Sequence, residues 1–138
     1  MKDQSNLYDI KANYIFNKLQ ESEFNKKYKI INDEMLKDVI IISRNLNLNE
    51  IKEIYSITDC YVSPYLAEGF NLTPLEAAAC GTQIIVTKGG STDDYFDPCL
   101  GHQIESTEKK IKTNSTVLVP KLDSLVHILG NKIINKPD

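Results

Sequence analysis

Two glutamates, Glu68 and Glu76, bracket a turn in the middle of the chain with seven residues between them. The segment from Ser63 to Gly81 has the pattern of a strand end, a glycine-containing turn and a helix. The start of such a helix offers free N–H groups and a positive dipole end to an anion. An ionised glutamate accepts hydrogen bonds from two hydroxyls at once. The spacing therefore indicates a site for a sugar attached to a phosphate.

Alternating strand and helix patterns must position this turn. Apolar runs predict strands at 38–43, 60–63, 84–87, 101–104 and 116–119. The continuous run at 38–43 is typical of a strand buried on both faces of a parallel sheet. Helical spacing and capping signals predict helices near 7–20, 49–55, 72–80, 93–96 and 122–129, the last with Gly130 as a C-cap. This alternation predicts an α/β fold with a Rossmann-like parallel sheet flanked by helices. Ligands bind such sheets beyond the carboxyl ends of the strands, where the central turn lies.

The central segment resembles the donor-binding signature of the family-4 retaining glycosyltransferases, which have the GT-B fold. The matching pieces are Ser63-Pro64, Glu68-Gly69-Phe70-Asn71-Leu72, Leu75-Glu76-Ala77, Gly81, Gln83-Ile84-Ile85-Val86-Thr87 and Gly89-Gly90. The resemblance extends over roughly residues 38–97. So many coordinated positions are a far more specific signal than a lone glycine-rich triplet. Two positions depart from the family: Asn71 replaces a glycine, and Ser91-Thr92-Asp93-Asp94 replaces Val-Pro-Glu.

The resemblance implies that residues 1–138 form a single domain, the C-terminal nucleotide-sugar-binding lobe of a GT-B enzyme. A complete enzyme of this fold has a second, N-terminal lobe, which we expect to bind the acceptor and to lie outside these residues. The implied reaction is the transfer of a hexose from a nucleoside diphosphate sugar to an acceptor hydroxyl, with retention at the anomeric carbon. We expect the lobe alone to bind nucleotide weakly and to transfer nothing.

The resemblance also implies a role for each site residue. Glu68 is placed beside the transferred sugar, where a carboxylate stabilises positive charge developing at the anomeric carbon. Glu76 is placed at the ribose hydroxyls. Its spacing from Thr73 also fits a capping box that needs no ligand. Backbone N–H groups of Gly69, Phe70, Asn71 and Leu72 are implied for the diphosphate and the sugar.

Side chains around this turn have more ordinary expectations. We expect those of Phe70 and Leu72 to pack in the core, so that only their amides face a ligand. Gly69 allows close approach because it has no Cβ. Asn71 tolerates the left-handed backbone better than most residues, so the turn survives the loss of glycine.

The loop at Gly89-Gly90 is consistent with a second anion-facing segment or with a plain turn. Asp93 and Asp94 are expected to cap the following short helix rather than to bind a metal. No metal and no cofactor are expected. The donor substrate is a nucleoside diphosphate sugar, with UDP the commonest base in the family and GDP and ADP as alternatives.

Composition limits the partners. The net charge is −3 and the pI about 5.4, without a basic stripe, so nucleic acid is not expected as a partner. The three cysteines form no Cys-x-x-Cys pair, which fits a reducing cytoplasm. No apolar run approaches the roughly 20 residues of a membrane span. The expected partners are a nucleotide sugar and an acceptor glycan, lipid or protein, the acceptor and any membrane contact belonging to the other lobe.

Two other classes remain as alternatives. A non-catalytic module with this fold could bind a nucleotide sugar or recruit a partner, and the departures at Asn71 and residues 91–94 leave room for it. A flavodoxin-like or receiver domain has a similar size. The order of motifs argues against a flavodoxin-like or receiver domain. The turn that carries the two glutamates follows the second clear strand, and no acidic cluster follows the first.

Overall fold

A computed structural model describes residues 40, 42, 44–111 and 115–134 of the chain. The chain divides into two compact units, residues 1–46 and 47–138, and the second contains nearly all the described residues. The predicted helix at 7–20 lies outside the described residues. Of the predicted strand 38–43, only Ile40 and Ile42 are described. They are 86% and 48% exposed, so the prediction of burial is wrong for both, since an apolar run by itself marks only a candidate strand.

The second unit begins with a helix and alternates strands with helices before a two-stranded ribbon. Its elements are α1 (Leu48–Ile57), β1 (Cys60–Ser63), α2 (Leu72–Ala79), β2 (Gln83–Thr87), a 3₁₀ turn (Ser91–Asp94), β3 (Gly101–Ile104), β4 (Ser106–Lys110), β5 (Thr116–Pro120), α3 (Leu122–Ile128) and a π-helical turn (Leu129–Ile134).

The first three strands form a parallel sheet in the order β1-β2-β3. Tyr61 pairs with Ile84 across β1 and β2, and Ile84 pairs with Gly101 across β2 and β3. Strand β2 therefore lies in the centre, and its residues from Ile84 to Thr87 are fully buried. A continuous apolar run is typical of a parallel strand that is covered on both faces.

Successive residues of β2 pack on opposite faces of the sheet, as strand geometry requires. Ile84 and Val86 pack with Ala77 of α2 on one face. Ile85 packs with Ile128 of α3 on the other face. The predicted α/β fold, a Rossmann-like parallel sheet flanked by helices, is confirmed.

The predicted strand at 116–119 is confirmed as β5, but one strand was missed and two local predictions are wrong. Strand β5 pairs antiparallel with β4, which was not predicted because Ser106–Lys110 is polar and mostly exposed. The short helix comes two residues earlier than predicted, over Ser91–Asp94. Helix α3 continues directly into the π-helical turn, so Gly130 lies inside that turn and does not end the helix.

Candidate functional site

The carboxyl ends of the parallel strands open onto a cleft of about 290 Å³. The loop after β1, the loop after β2 and the β4–β5 ribbon each contribute to its walls. Its lining residues are Tyr65, Leu66, Ala67, Glu68, Gly89, Gly90, Ser91, Glu108, Thr116 and Leu118. The structure thus brings together Glu68, Gly89 and Gly90, which the sequence places in two separate segments.

A buried network around Tyr65 fixes the two loops to each other. The Tyr65 hydroxyl donates to the Thr87 carbonyl at 3.1 Å and accepts from the Thr92 N–H at 3.3 Å. The Thr87 hydroxyl donates back to the Tyr65 carbonyl at 2.9 Å. Sequence reasoning missed this network, since a tyrosine between a strand and a turn carries no signal of a buried hydroxyl. The loop that carries Glu68 is consequently fixed relative to the loop that carries Gly89.

Glu68 lies exposed at the lip of the cleft. Among the described residues, no hydrogen bond or ion pair engages its carboxylate or the N–H groups of Gly69 and Phe70. Gly69 has no left-handed φ, and a Cβ added there meets no protein atom within 4 Å. Nothing in the described fold therefore requires glycine at this position.

The side chains of Phe70 and Leu72 are not in the core. They are 47% and 56% exposed, so the prediction of core packing is wrong. Both precede the part of α2 that is covered, which begins at the buried Pro74. The Phe70 ring instead contacts the Tyr95 ring, with 5.4 Å between the ring centroids.

Asn71 keeps the turn that a glycine would make. Its φ of 55° and ψ of 68° are left-handed, which confirms the prediction. The Asn71 side-chain amide donates to the Ser63 hydroxyl at 3.1 Å. The backbone carbonyl of Asn71 accepts from the Tyr95 hydroxyl at 2.7 Å. The first departure from the family pattern is therefore compensated by a hydrogen bond that glycine could not form.

The capping box predicted for Thr73 and Glu76 does not form. Helix α2 begins at Leu72 with Asn71 as its N-cap, so Thr73 is already the second helical residue and Glu76 the fifth. The Thr73 hydroxyl instead accepts from the Tyr61 hydroxyl at 3.0 Å. The N-cap is Asn71 and not Thr73, because the left-handed backbone of Asn71 starts the helix two residues before the start that Pro74 suggested.

Glu76 is exposed on α2 and does not line the cleft that contains Glu68. Its charge acts on Tyr55 of α1. Burial, the neighbouring Tyr61 and then Glu76 each raise the pKa of Tyr55. Of the two glutamates of the motif, only Glu68 therefore lines this cleft.

Contacts within the protein account for the glycines of the second loop. Gly89 is left-handed, with φ of 92°, and its N–H donates to Asp93 Oδ2 at 3.0 Å. A Cβ on Gly90 would lie 2.6 Å from the Tyr65 hydroxyl oxygen and 2.9 Å from Leu118 Cδ1. The N–H of Gly89 therefore already has an acceptor. The N-cap of the 3₁₀ turn is Gly90, without a side-chain cap, and Asp93 and Asp94 lie inside the turn, so the prediction that they cap it is wrong.

The ribbon is held against both loops. Leu118 N–H donates to the Leu66 carbonyl at 2.8 Å, and the Ser106 hydroxyl donates to the Lys88 carbonyl at 2.7 Å. Lys88 also forms an ion pair with Glu105 at 2.8 Å, with both side chains about half exposed. The pair raises the pKa of Lys88 and lowers that of Glu105. The third wall of the cleft is therefore part of the same packed unit.

Among the described residues, no group of three or more histidine, cysteine, aspartate or glutamate side chains could hold a metal ion. Cys60, Cys80 and Cys99 are all free thiols. None of the helices described has the length and apolar character that crossing a membrane requires.

A parallel α/β sheet flanked by helices, with a cleft at its carboxyl edge, is the Rossmann-like class of fold, in which ligands bind beyond the strand ends. The family described as Glycosyl transferases group 1 matches residues 14–110, about 70% of the chain. The chain belongs to this family.

Two curated proteins illustrate the relationship. The O-antigen chain mannosyltransferase RfbU of Salmonella typhimurium is 36% identical over 59 residues, which cover 43% of this chain and 17% of that protein. The D-inositol 3-phosphate glycosyltransferase of Pseudarthrobacter chlorophenolicus is 34% identical over 68 residues, covering 49% and 16%. The matched part thus spans about a sixth of the length of each relative. No solved structure matches the chain significantly.

Proposed function

We propose that this chain supplies the donor site of a retaining glycosyltransferase, which transfers a hexose from a nucleoside diphosphate sugar to an acceptor hydroxyl. Family membership supports glycosyl transfer. The observation that carries the donor site is the convergence of Glu68, Gly89 and Gly90 on one cleft at the carboxyl edge of the sheet. This edge is where parallel α/β sheets bind nucleotides.

In this proposal the turn before α2 holds the diphosphate. Gly69, Phe70 and Leu72 present N–H groups at the helix start, where the dipole favours negative charge. The open space around Gly69 is consistent with this role, since a ligand would explain a glycine that the described fold does not require. Amides held in place by folding stabilise the charge that develops on the leaving diphosphate.

Glu68 then lies at the transferred sugar. Its carboxylate accepts hydrogen bonds from sugar hydroxyls and stabilises the oxocarbenium-like transition state electrostatically. Glu76 binds the ribose hydroxyls from the flank of α2. No metal enters the reaction.

The non-catalytic alternative has lost part of its support. It rested in part on Asn71, and the structure shows that Asn71 preserves the left-handed turn. Transfer of sugar by the full-length protein would eliminate this alternative.

Thermal-shift and calorimetric titrations with UDP-, GDP- and ADP-sugars test the donor site. A ligand that binds only the folded protein raises its melting temperature. We expect one nucleotide sugar to stabilise the wild type and Glu76→Gln to remove most of that shift. Because Glu76 caps no helix, the variant should unfold like the wild type without ligand.

Glu53→Gln is the matched control, since Glu53 is an exposed glutamate on α1. It should bind the nucleotide sugar like the wild type. Equal shifts in the wild type, Glu53→Gln and Glu76→Gln would remove Glu76 from the site. Absence of binding by the wild type at millimolar concentrations would refute the donor-site proposal for this chain.

A further inference from the structure

The β4–β5 ribbon forms a wall of the cleft that lies outside both the turn with Glu68 and the loop with Gly89 and Gly90. Glu108 pairs directly with Leu118 across the ribbon, and Lys110 pairs with Thr116. Side chains of directly paired residues, and of residues two apart, lie on the same face of a ribbon. Glu108, Thr116 and Leu118 accordingly line the cleft together.

The ribbon wall is fixed before any ligand binds. The hydrogen bond from Leu118 N–H to the Leu66 carbonyl joins the wall to the loop that carries Glu68. Leu118 also packs against the core cluster that contains Tyr65, and it lies so near the second loop that a Cβ added to Gly90 would come within 2.9 Å of Leu118 Cδ1. A fixed wall loses little conformational entropy on binding, which is the condition for selective recognition.

The chemistry of the cleft suits a neutral, hydroxyl-rich ligand. The described residues of its lining include the carboxylates of Glu68 and Glu108 and the hydroxyl of Thr116, and none of them is a lysine or arginine. Two carboxylates repel a phosphate but accept hydrogen bonds from hydroxyls. Leu66 and Leu118 offer apolar surface to the C–H groups of a sugar ring.

The size of the cleft agrees with this chemistry. A volume of about 290 Å³ is at the lower end of small-molecule pockets, which span about 300–1,000 Å³. It suits one sugar ring rather than a complete nucleotide sugar. Glu108 is exposed and lines the cleft, and among the described residues no hydrogen bond or ion pair engages its carboxylate.

We propose that Glu108 determines sugar specificity, by accepting a hydrogen bond from a hydroxyl of the sugar whose other hydroxyls face Glu68. This inference rests on the proposed donor site, and it adds to that site a residue from the ribbon. Glu108 does not contact the nucleotide in this arrangement. It therefore affects the affinity for a nucleotide sugar without affecting the affinity for the nucleoside diphosphate.

Calorimetric titration of the 138-residue chain tests this difference. The ligands are UDP, GDP and ADP, and each diphosphate attached to glucose or mannose. For the base that binds, we expect Glu108→Gln to weaken binding of the sugar nucleotide about 3- to 10-fold, the range for an ordinary hydrogen bond, because the glutamine oxygen still accepts from a hydroxyl but without the charge. Binding of the diphosphate alone should not change. Glu53→Gln should change neither affinity.

Each other outcome decides against the inference. If Glu108→Gln binds the sugar nucleotide as the wild type does, or weakens both ligands equally, Glu108 does not recognise the sugar, although the donor site stands. If the wild type binds neither ligand at millimolar concentrations, the donor site fails and the inference fails with it. Equal urea midpoints for the three proteins would show that altered folding is not the cause.

Discussion

Asn71 shows how one residue can replace a family glycine without changing the backbone. Outside glycine, the left-handed region costs roughly 1–2 kcal/mol, and asparagine is among the residues that tolerate it best. Here the side chain adds a hydrogen bond to Ser63 at the end of β1. The turn therefore depends on asparagine for a contact as well as for its conformation.

Two substitutions separate these contributions. Asn71→Gly removes the Ser63 hydrogen bond but keeps the conformation accessible, so the free energy of unfolding should fall by about 1 kcal/mol. Asn71→Ala removes the bond and adds backbone strain, and the loss should reach about 2 kcal/mol. Urea denaturation monitored by circular dichroism measures both. An alanine variant as stable as the glycine variant would show that the left-handed backbone carries no cost here.

For Glu68 and Glu76, the sequence predicted the local structure but not where each carboxylate lies. Their spacing correctly marked a turn and a helix at the carboxyl edge of the sheet. It could not show that Glu68 lines the cleft while Glu76 does not, because that depends on where the helix starts. Asn71 determined the start through its backbone conformation. Pro74, three residues later, gave a stronger but misleading signal.

At the scale of elements, the two loops have glycines with opposite requirements. Gly90 has no room for a Cβ, because Tyr65 and Leu118 occupy the space. Gly69 has open space and an ordinary backbone. Packing explains the first glycine, whereas nothing in the described fold requires the second.

Alanine at each position distinguishes these two cases. Gly90→Ala should lower the free energy of unfolding by about 1–3 kcal/mol, the range for overpacking. Gly69→Ala should stay within about 0.5 kcal/mol of the wild type, yet weaken binding of the nucleotide sugar. Chemical denaturation and calorimetry on the same samples give both quantities. A Gly69→Ala variant with unchanged affinity would remove this turn from close contact with the donor.

The β4–β5 ribbon is the element that the sequence patterns did not predict. Its first strand, Ser106–Lys110, has no apolar alternation and reads as a solvated charge cluster. Pairing with the more apolar Thr116–Pro120, together with anchors to Leu66 and Lys88, stabilises it in place of side-chain burial. Backbone pairing of this kind leaves no trace in a hydrophobic pattern, so the third wall of the cleft could not be predicted.

In the folded unit of residues 47–138, burial is greatest at strand β2. Strand β2 lies between two partners, with α2 on one face and α3 on the other. Helix α1 has no buried residue, and its Leu48 and Ile57 are each 84% exposed. The apolar run at 84–87 made β2 predictable, whereas the amphipathic spacing of α1 gave no measure of how little it would bury.

This difference predicts an ordered pattern of hydrogen exchange. Amides of Ile84, Ile85 and Val86 should exchange only through global unfolding, whereas those of α1 should exchange at least about tenfold faster through local opening. Ile85→Val, which should cost about 0.5–1.5 kcal/mol, supplies the control. It should accelerate exchange in β2 by about 2- to 10-fold and leave α1 unchanged, because local opening of α1 exposes nothing that Ile85 contacts. Equal protection in α1 and β2, measured by NMR in the wild type, would mean that the unit opens as one cooperative body despite its uneven burial.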